Sequence, residues 1–134
     1  MAGVTDHEHW LHEPEEHDYP AAADYLTLHL DPAVAETVVA ALEKAPLVHR
    51  KAKDLLRASG LALLPPDNPH VARDLKKVDD GKALSPVLLV RGDLARGVPL
   101  VVADGYHRIC ASYHLDENAD VPCRIADLPS PRSA

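Results

Sequence analysis

PLVVADGYHRICASYHL, residues 99–115, carries the signs of a strand, a sharp turn and a helix in direct succession. The apolar run from Leu100 to Ala103 is long enough for a buried strand. Asp104-Gly105 is typical of a turn, since glycine adopts positive φ without steric cost. From Ile109 onward apolar residues recur four positions apart, which predicts a helix. The sequence therefore predicts a helix that begins directly after a glycine turn.

The N-terminus of that predicted helix is suited to binding phosphate. Its first backbone N–H groups lack partners within the helix and lie at the positive end of the helix dipole. We therefore expect the amides of Gly105, Tyr106 and His107 to hold a phosphate group. Arg108 adds a planar fork of donors, and His107 adds a donor or a titratable base. Asp104 could bind Mg²⁺, accept a proton, or only cap the turn.

A second cationic element precedes this turn. Asn68-Pro69 predicts the start of a helix, which we expect to end at Asp80-Gly81. His70, Arg73 and Lys77 share one face of it because they are spaced i, i+3, i+7. That face either contacts phosphate or is simply solvated.

Asp104-Gly105-Tyr106-His107-Arg108, followed by Ala111 and a strand at Val121–Ile125, resembles the signature turn of the ParB/sulfiredoxin superfamily. The resemblance extends back to Pro65 and covers about half of the chain. It implies a strand–turn–helix that grips the phosphates of a nucleotide (ATP, ADP or CTP) accompanied by Mg²⁺. It also implies that the helix carrying His70 presents side chains to those phosphates.

Comparison within that superfamily favours a small-molecule phosphotransferase or a nucleotide hydrolase. Sulfiredoxins need a reactive cysteine where this chain has Tyr106, so sulfinic acid reductase activity is not expected. Tyr106 either stacks on a base or packs internally. ParB-type partition proteins use further DNA-reading and dimerisation regions, for which these residues show no pattern, so a DNA partner is not expected. The ADP-dependent free-serine kinase shares the Asp-Gly turn before His-Arg and is the nearest analogue. The expected catalytic residues are Asp104 and His107, and the expected partners are a nucleotide and an unidentified acceptor.

Two other functions stay open. A ParB-like regulatory module would bind nucleotide and a protein or DNA partner without catalysing a reaction. A nuclease ranks last, because the sequence places only Asp104 near the phosphate as a metal-binding carboxylate. A homodimer is compatible with each of these functions.

Length predicts a single domain, and the order of the predicted strands and helices indicates an α+β fold in which a small mixed sheet packs on several helices. The 134 residues are 46% hydrophobic, with no Phe and one Trp, so the core must be aliphatic. Net charge is −7, and residues 1–20 contribute −6 of it because they hold six acids and no Lys or Arg. The rest of the chain is therefore close to neutral and lacks the strongly basic face that nucleic-acid binding needs. Cys110 and Cys123 are expected to be buried and reduced. With no signal peptide or membrane span evident, we expect a cytoplasmic protein without membrane partners.

The chain divides into an acidic, His-rich arm at 1–20, a domain at 21–128 and a tail at 129–134. The arm is a solvated segment, a metal site or a lid. The metal ligands would be His7, His9 and His12. The lid would pack Trp10 and Tyr19 over the site and supply Glu15, Glu16 or Asp18.

Residue patterns predict the remaining elements. Alternating leucines favour a strand at Tyr25–Leu30, and Pro122 suggests that the last strand lies at a sheet edge. The other expected elements are helices at Pro32–Ala45 and Val48–Ser59, a strand or connector at Leu61–Leu64, and a hairpin of Val87–Val90 with Val98–Ala103. We expect a cleft where the Asp104 turn faces the His70 helix.

Overall fold

The computed structural model describes residues 9–129, and over that range it contains five α-helices. They are α1 (Asp18–Leu26), α2 (Pro32–Lys44), α3 (Ala52–Ser59), α4 (Pro69–Asp79) and α5 (Tyr106–Leu115). The strands are β1 (His9–Trp10), β2 (Val48–Lys51), β3 (Ala83–Leu84), β4 (Val87–Val90), β5 (Val101–Asp104) and β6 (Asp120–Ala126). The expected α+β class is confirmed. His7 of the expected metal site and positions 130–134 of the expected tail lie outside the described residues.

The main sheet has the strand order β2-β6-β4-β5. β4 runs parallel to β6 and antiparallel to β5, while β2 runs antiparallel to β6. The predicted β4–β5 hairpin is therefore confirmed. A separate parallel pair joins β1 to β3, which ties the N-terminal segment to the chain just before β4.

Helices cover both faces of this sheet. All four residues of β4 are buried, which explains its uninterrupted apolar sequence. Val87 and Leu89 belong to the core formed with α3, α4 and α5, whereas Leu88 and Val90 belong to the core formed with α1 and α2. No helix within residues 9–129 is long and apolar enough to cross a bilayer.

The strand predicted at Tyr25–Leu30 is wrong. Helix α1 extends to Leu26, and a turn follows it. Ala22 and Leu26, four residues apart, are buried in the core with α2, so the helical period prevails over the alternation of leucines. Leu28, which the strand pattern placed on a buried face, is 79% exposed.

The helix predicted at Val48–Ser59 is wrong over its first four residues. Val48–Lys51 forms β2, paired with β6, and α3 begins only at Ala52. Pairing with β6 overrides the local helical pattern. Charged side chains at Arg50 and Lys51 are exposed on this outer strand, as is common at a sheet edge.

The predicted edge position of Pro122 is also wrong. Strand β6 lies between β2 and β4, and Pro122 is fully buried opposite His49. A proline removes only one N–H, and the pairing continues through its neighbours on both sides. The expected burial of Cys110 and Cys123 as free thiols is confirmed.

Candidate functional site

The turn between β5 and α5 is built around one glycine. Gly105 adopts a φ of +114°, and a Cβ at this position would lie 2.4 Å from Cγ1 of Val87. Only glycine fits a turn that is both left-handed and pressed against β4. Within residues 9–129, no side chain caps the N-terminus of α5. The first amides of this helix are therefore available to an external acceptor.

A cavity of about 290 Å³ opens beside this turn. Its walls come from four parts of the chain: the β5–α5 turn, helix α4, residues 83–85 and the segment that leads into α1. The polar residues that line it are Glu15, His17, Arg73, Asp74, Lys77, Ser85, Asp104, His107 and Arg108. The structure thus brings together Asp104, Gly105, His107, Arg108, Arg73 and Lys77 of the expected site.

Arg108 and Asp104, which both line this cavity, form an ion pair. Nη2 of Arg108 lies 2.8 Å from Oδ2 of Asp104 and 3.4 Å from the carbonyl oxygen of Pro86. The two side chains are 17% and 18% exposed. Burial raises the pKa of Asp104 above its ordinary value, although Arg108 opposes this shift. The buried Nε of Arg108 has no hydrogen-bond partner among the described residues.

Helix α4 supplies the opposite wall. Oδ1 of Asn68 accepts hydrogen bonds from the amides of His70 and Val71, so the predicted helix start is confirmed. Arg73 and Lys77 line the cavity, together with the buried Asp74 between them. Two cations therefore face the N-terminus of α5 across the cavity.

His70 is exposed on α4 and does not line the cavity. Its Nδ1 is 3.2 Å from Nη2 of Arg73, and its ring centroid is 4.6 Å from that of His107. Burial lowers the pKa of His107, and the nearby His70, Arg73 and Arg108 lower it further, while Asp74 opposes them. A neutral His107 can donate one hydrogen bond and accept another.

Tyr106 lies away from the cavity. Its hydroxyl donates to the carbonyl oxygen of Ala62 at 2.5 Å. Further along α5, Nε2 of His114 lies 2.7 Å from the carbonyl oxygen of Leu64, and the Leu64 backbone also bonds the thiol of Cys110. Tyr106, Cys110 and His114 thus attach the connector 61–64 to one side of α5. Their i, i+4, i+8 spacing was the available sequence signal, and no strand forms in this connector.

The segment before α1 is fixed to the domain by a buried carboxylate. Asp18 is 3% exposed, and its Oδ2 accepts hydrogen bonds from the hydroxyl of Ser85 and from the amide of Glu15, the latter at 3.1 Å. The Glu15 side chain consequently lies at the cavity, as the lid hypothesis expected of one acid. Glu16 does not line it, while Trp10 and Tyr19 pack against the two cores.

Oxygen and nitrogen atoms of Glu15, His17 and Asp18 all lie within 4.8 Å of one another, close enough to share a cation. His9 and His12 are not part of this group. No protein-family model matches this chain, and no curated protein or solved structure matches it either. The assignment of function accordingly depends on the chemistry of the cavity.

Proposed function

We propose that this protein is a nucleotide-binding enzyme of phosphoryl transfer or nucleotide hydrolysis, in keeping with its resemblance to the ParB/sulfiredoxin superfamily. One observation carries the proposal: the uncapped N-terminus of α5 shares a cavity with Arg108, Arg73 and Lys77. Backbone donors at a helix N-terminus and cationic side chains are the groups that bind phosphate.

Phosphoryl transfer requires mainly positioning and neutralisation of charge. In our proposal the backbone amides of Gly105, Tyr106 and His107 hold the phosphate. Tyr106 therefore contacts the ligand through its amide and not through its side chain. The cations on the two walls neutralise the charge of the ligand. His107, which burial and neighbouring cations favour in its neutral form, donates a hydrogen bond to the group being transferred. His70 positions both His107 and Arg73, because its ring packs on that of His107 and its Nδ1 contacts Nη2 of Arg73.

Two carboxylates are candidates for accepting a proton from the acceptor hydroxyl. Asp104 is paired with Arg108, so it can serve only when the phosphate has taken over that guanidinium. Glu15, whose side chain is 49% exposed, lines the same cavity from the segment before α1. Both carboxylates could also supply the oxygen ligands that Mg²⁺ prefers.

The first test is a thermal-shift screen of the protein against ATP, ADP, CTP and GTP, with and without Mg²⁺. A bound ligand at a hundredfold excess over its Kd stabilises the folded protein by about 2.7 kcal/mol, which gives a measurable rise in Tm. We expect such a rise with at least one nucleotide. No rise with any of them at millimolar concentration would contradict the proposal.

Turnover separates the enzyme from the regulatory module. Phosphorus NMR of the protein with the stabilising nucleotide and a panel of hydroxyl-bearing metabolites should show a new phosphate ester or free phosphate. Binding without product under all these conditions would instead support a module that uses the nucleotide to control a partner. The free, buried thiols of Cys110 and Cys123 are in keeping with a cytoplasmic location.

A further inference from the structure

The cavity is lined by cationic side chains that can bind phosphate, and within residues 9–129 it offers no tyrosine or tryptophan on which a base could stack. Among the same residues, its only rings are those of His17 and His107. The His107 ring already packs on His70 at 4.6 Å. Nε2 of His17 lies 3.4 Å from a carboxylate oxygen of Asp18. No aromatic platform of the kind on which bases stack is therefore offered inside the cavity.

Tyr106, in the first turn of α5, is the residue whose ring would be expected to stack on a base, but its side chain makes other contacts. Its hydroxyl is held by the Ala62 carbonyl, on the side of α5 that carries the connector 61–64. Turning this ring toward the cavity would break that bond and remove an apolar contact from the core. The fold thus keeps the one nearby phenol ring out of the ligand site.

The size of the cavity leads to the same conclusion. At about 290 Å³ it is smaller than most sites for drug-sized ligands, which span roughly 300–1,000 Å³. Arg73, Lys77 and Arg108 line this small volume next to the uncapped end of α5. Such a volume is suited to the phosphate groups of a ligand, and it leaves a nucleoside in solvent.

We propose that the site recognises the phosphate groups of its ligand and does not read the base. This inference rests on the proposed function and narrows its substrate class to ligands that are recognised through their phosphate groups alone. Inorganic pyrophosphate and nucleoside diphosphates share that chemistry and should use the same contacts. Selection of one base would require hydrogen bonds to its edge or a stacking surface, and such contacts discriminate strongly when they exist.

The test is a calorimetric comparison of ligands that share the diphosphate and differ in the rest. Kd values are measured for pyrophosphate, ADP, CDP and GDP at one salt concentration, with adenosine as the ligand that lacks phosphate. We expect the three nucleotides to agree within about threefold, pyrophosphate to bind within about tenfold of ADP, and adenosine not to bind. A preference of about tenfold or more for one base, or binding of adenosine, would overturn the inference and leave the proposed function standing. Failure of pyrophosphate to bind while a nucleotide binds would overturn the inference alone, whereas failure of pyrophosphate, of every diphosphate and of ATP, CTP and GTP would overturn the proposed function as well.

Neighbouring lysines on α4 provide a matched pair of variants. Lys77 lines the cavity, whereas Nζ of Lys76 lies 3.2 Å from Asp80 outside it. Lys77→Ala should weaken pyrophosphate and each nucleotide by one common factor of about tenfold, the loss expected for a charge-assisted contact. Lys76→Ala should leave all four Kd values unchanged. Equal losses in the two variants, or a loss for nucleotides without one for pyrophosphate, would contradict a phosphate site at this wall.

Discussion

At the residue scale, the pair of Asp104 and Arg108 lies where the proposed phosphate ligand would bind. The carboxylate holds the guanidinium at 2.8 Å and occupies a donor that phosphate would use. Under the proposed function, Asp104 would therefore compete with an anionic ligand for Arg108. If Asp104 also binds Mg²⁺, the carboxylate would no longer compete with the ligand for Arg108, and the metal would bridge the carboxylate and the ligand.

Asp104→Asn separates these two effects. Without metal, in EDTA, the variant should bind pyrophosphate about threefold to tenfold more tightly, because a neutral amide releases Arg108 and no longer repels the anion. With Mg²⁺ this gain in affinity for pyrophosphate should shrink or reverse. Calorimetry with EDTA and with Mg²⁺ measures the two Kd values. Asp93→Asn, which alters the exposed pair of Asp93 and Arg96 away from the cavity, is the control and should change neither value. Weaker binding of Asp104→Asn in EDTA would contradict the competition.

His107 predicts a dependence of stability on pH. Its pKa is lowered in the folded protein, by burial first and then by nearby cationic groups. As the pH falls through about 6.5, the unfolded chain takes up a proton at this position before the folded protein does, so folding loses stability. His107→Gln should lose less stability than the wild type between pH 7.5 and 5.5 in urea unfolding. An identical loss in both proteins would count against this environment for His107.

At the scale of elements, the turn into α5 and the connector 61–64 have different tasks. In the proposed function the turn forms the phosphate site, and it depends on Gly105, where a Cβ would lie 2.4 Å from Cγ1 of Val87. The connector has no secondary structure of its own and depends on side chains of α5 to hold it. Substitutions in the two elements should consequently have different effects on stability and on binding.

Gly105→Ala should be far more costly than Gly60→Ala. Both glycines have positive φ, which costs an alanine about 1 kcal/mol. At Gly105 the new Cβ also meets Val87 at 2.4 Å, whereas at Gly60 nothing lies within 4 Å. We expect Gly105→Ala to lower the free energy of unfolding by about 3–5 kcal/mol and Gly60→Ala by about 1 kcal/mol. Urea unfolding measures both, and equal losses would contradict the close packing of the turn on β4.

Tyr106→Phe tests the connector. Losing the hydrogen bond to Ala62 should lower the free energy of unfolding by about 1 kcal/mol and leave the Kd of pyrophosphate unchanged. Tyr113→Phe is the control on the same helix, because the hydroxyl of Tyr113 has no hydrogen-bond partner within residues 9–129. If the Tyr106 variant kept its full stability, the attachment of the connector would be refuted.

These two elements also show what the sequence could predict. Asp104-Gly105 between an apolar run and a helical pattern was sufficient for the strand, turn and helix, because each signal is local. The connector was not predictable in detail, since its partners Ala62 and Tyr106 lie 44 residues apart. The local pattern at Val48–Lys51 predicts helix for a similar reason, since the strand there depends on pairing with β6.

At the scale of the whole molecule, the cavity joins segments that are distant in sequence. The resemblance to the ParB/sulfiredoxin superfamily predicts that α4 faces the β5–α5 turn, and residues of both elements line the same cavity. The sequence did not determine the place of Glu15, which depends on the hydrogen bonds from Ser85 and Glu15 to Asp18. Nor did it show that Tyr106 faces away, because helical spacing fixes only the angle between side chains on a helix and not which face packs against the core.

The most direct test of the account is a titration of isotopically labelled protein with pyrophosphate, followed by amide chemical shifts in two-dimensional NMR. The account predicts that the largest shift changes fall on Gly105, Tyr106, His107 and Arg108, with a second group at Arg73 and Lys77. Changes that are largest elsewhere, for example in the loop at residues 91–98, with the turn unaffected, would contradict a phosphate site at the N-terminus of α5.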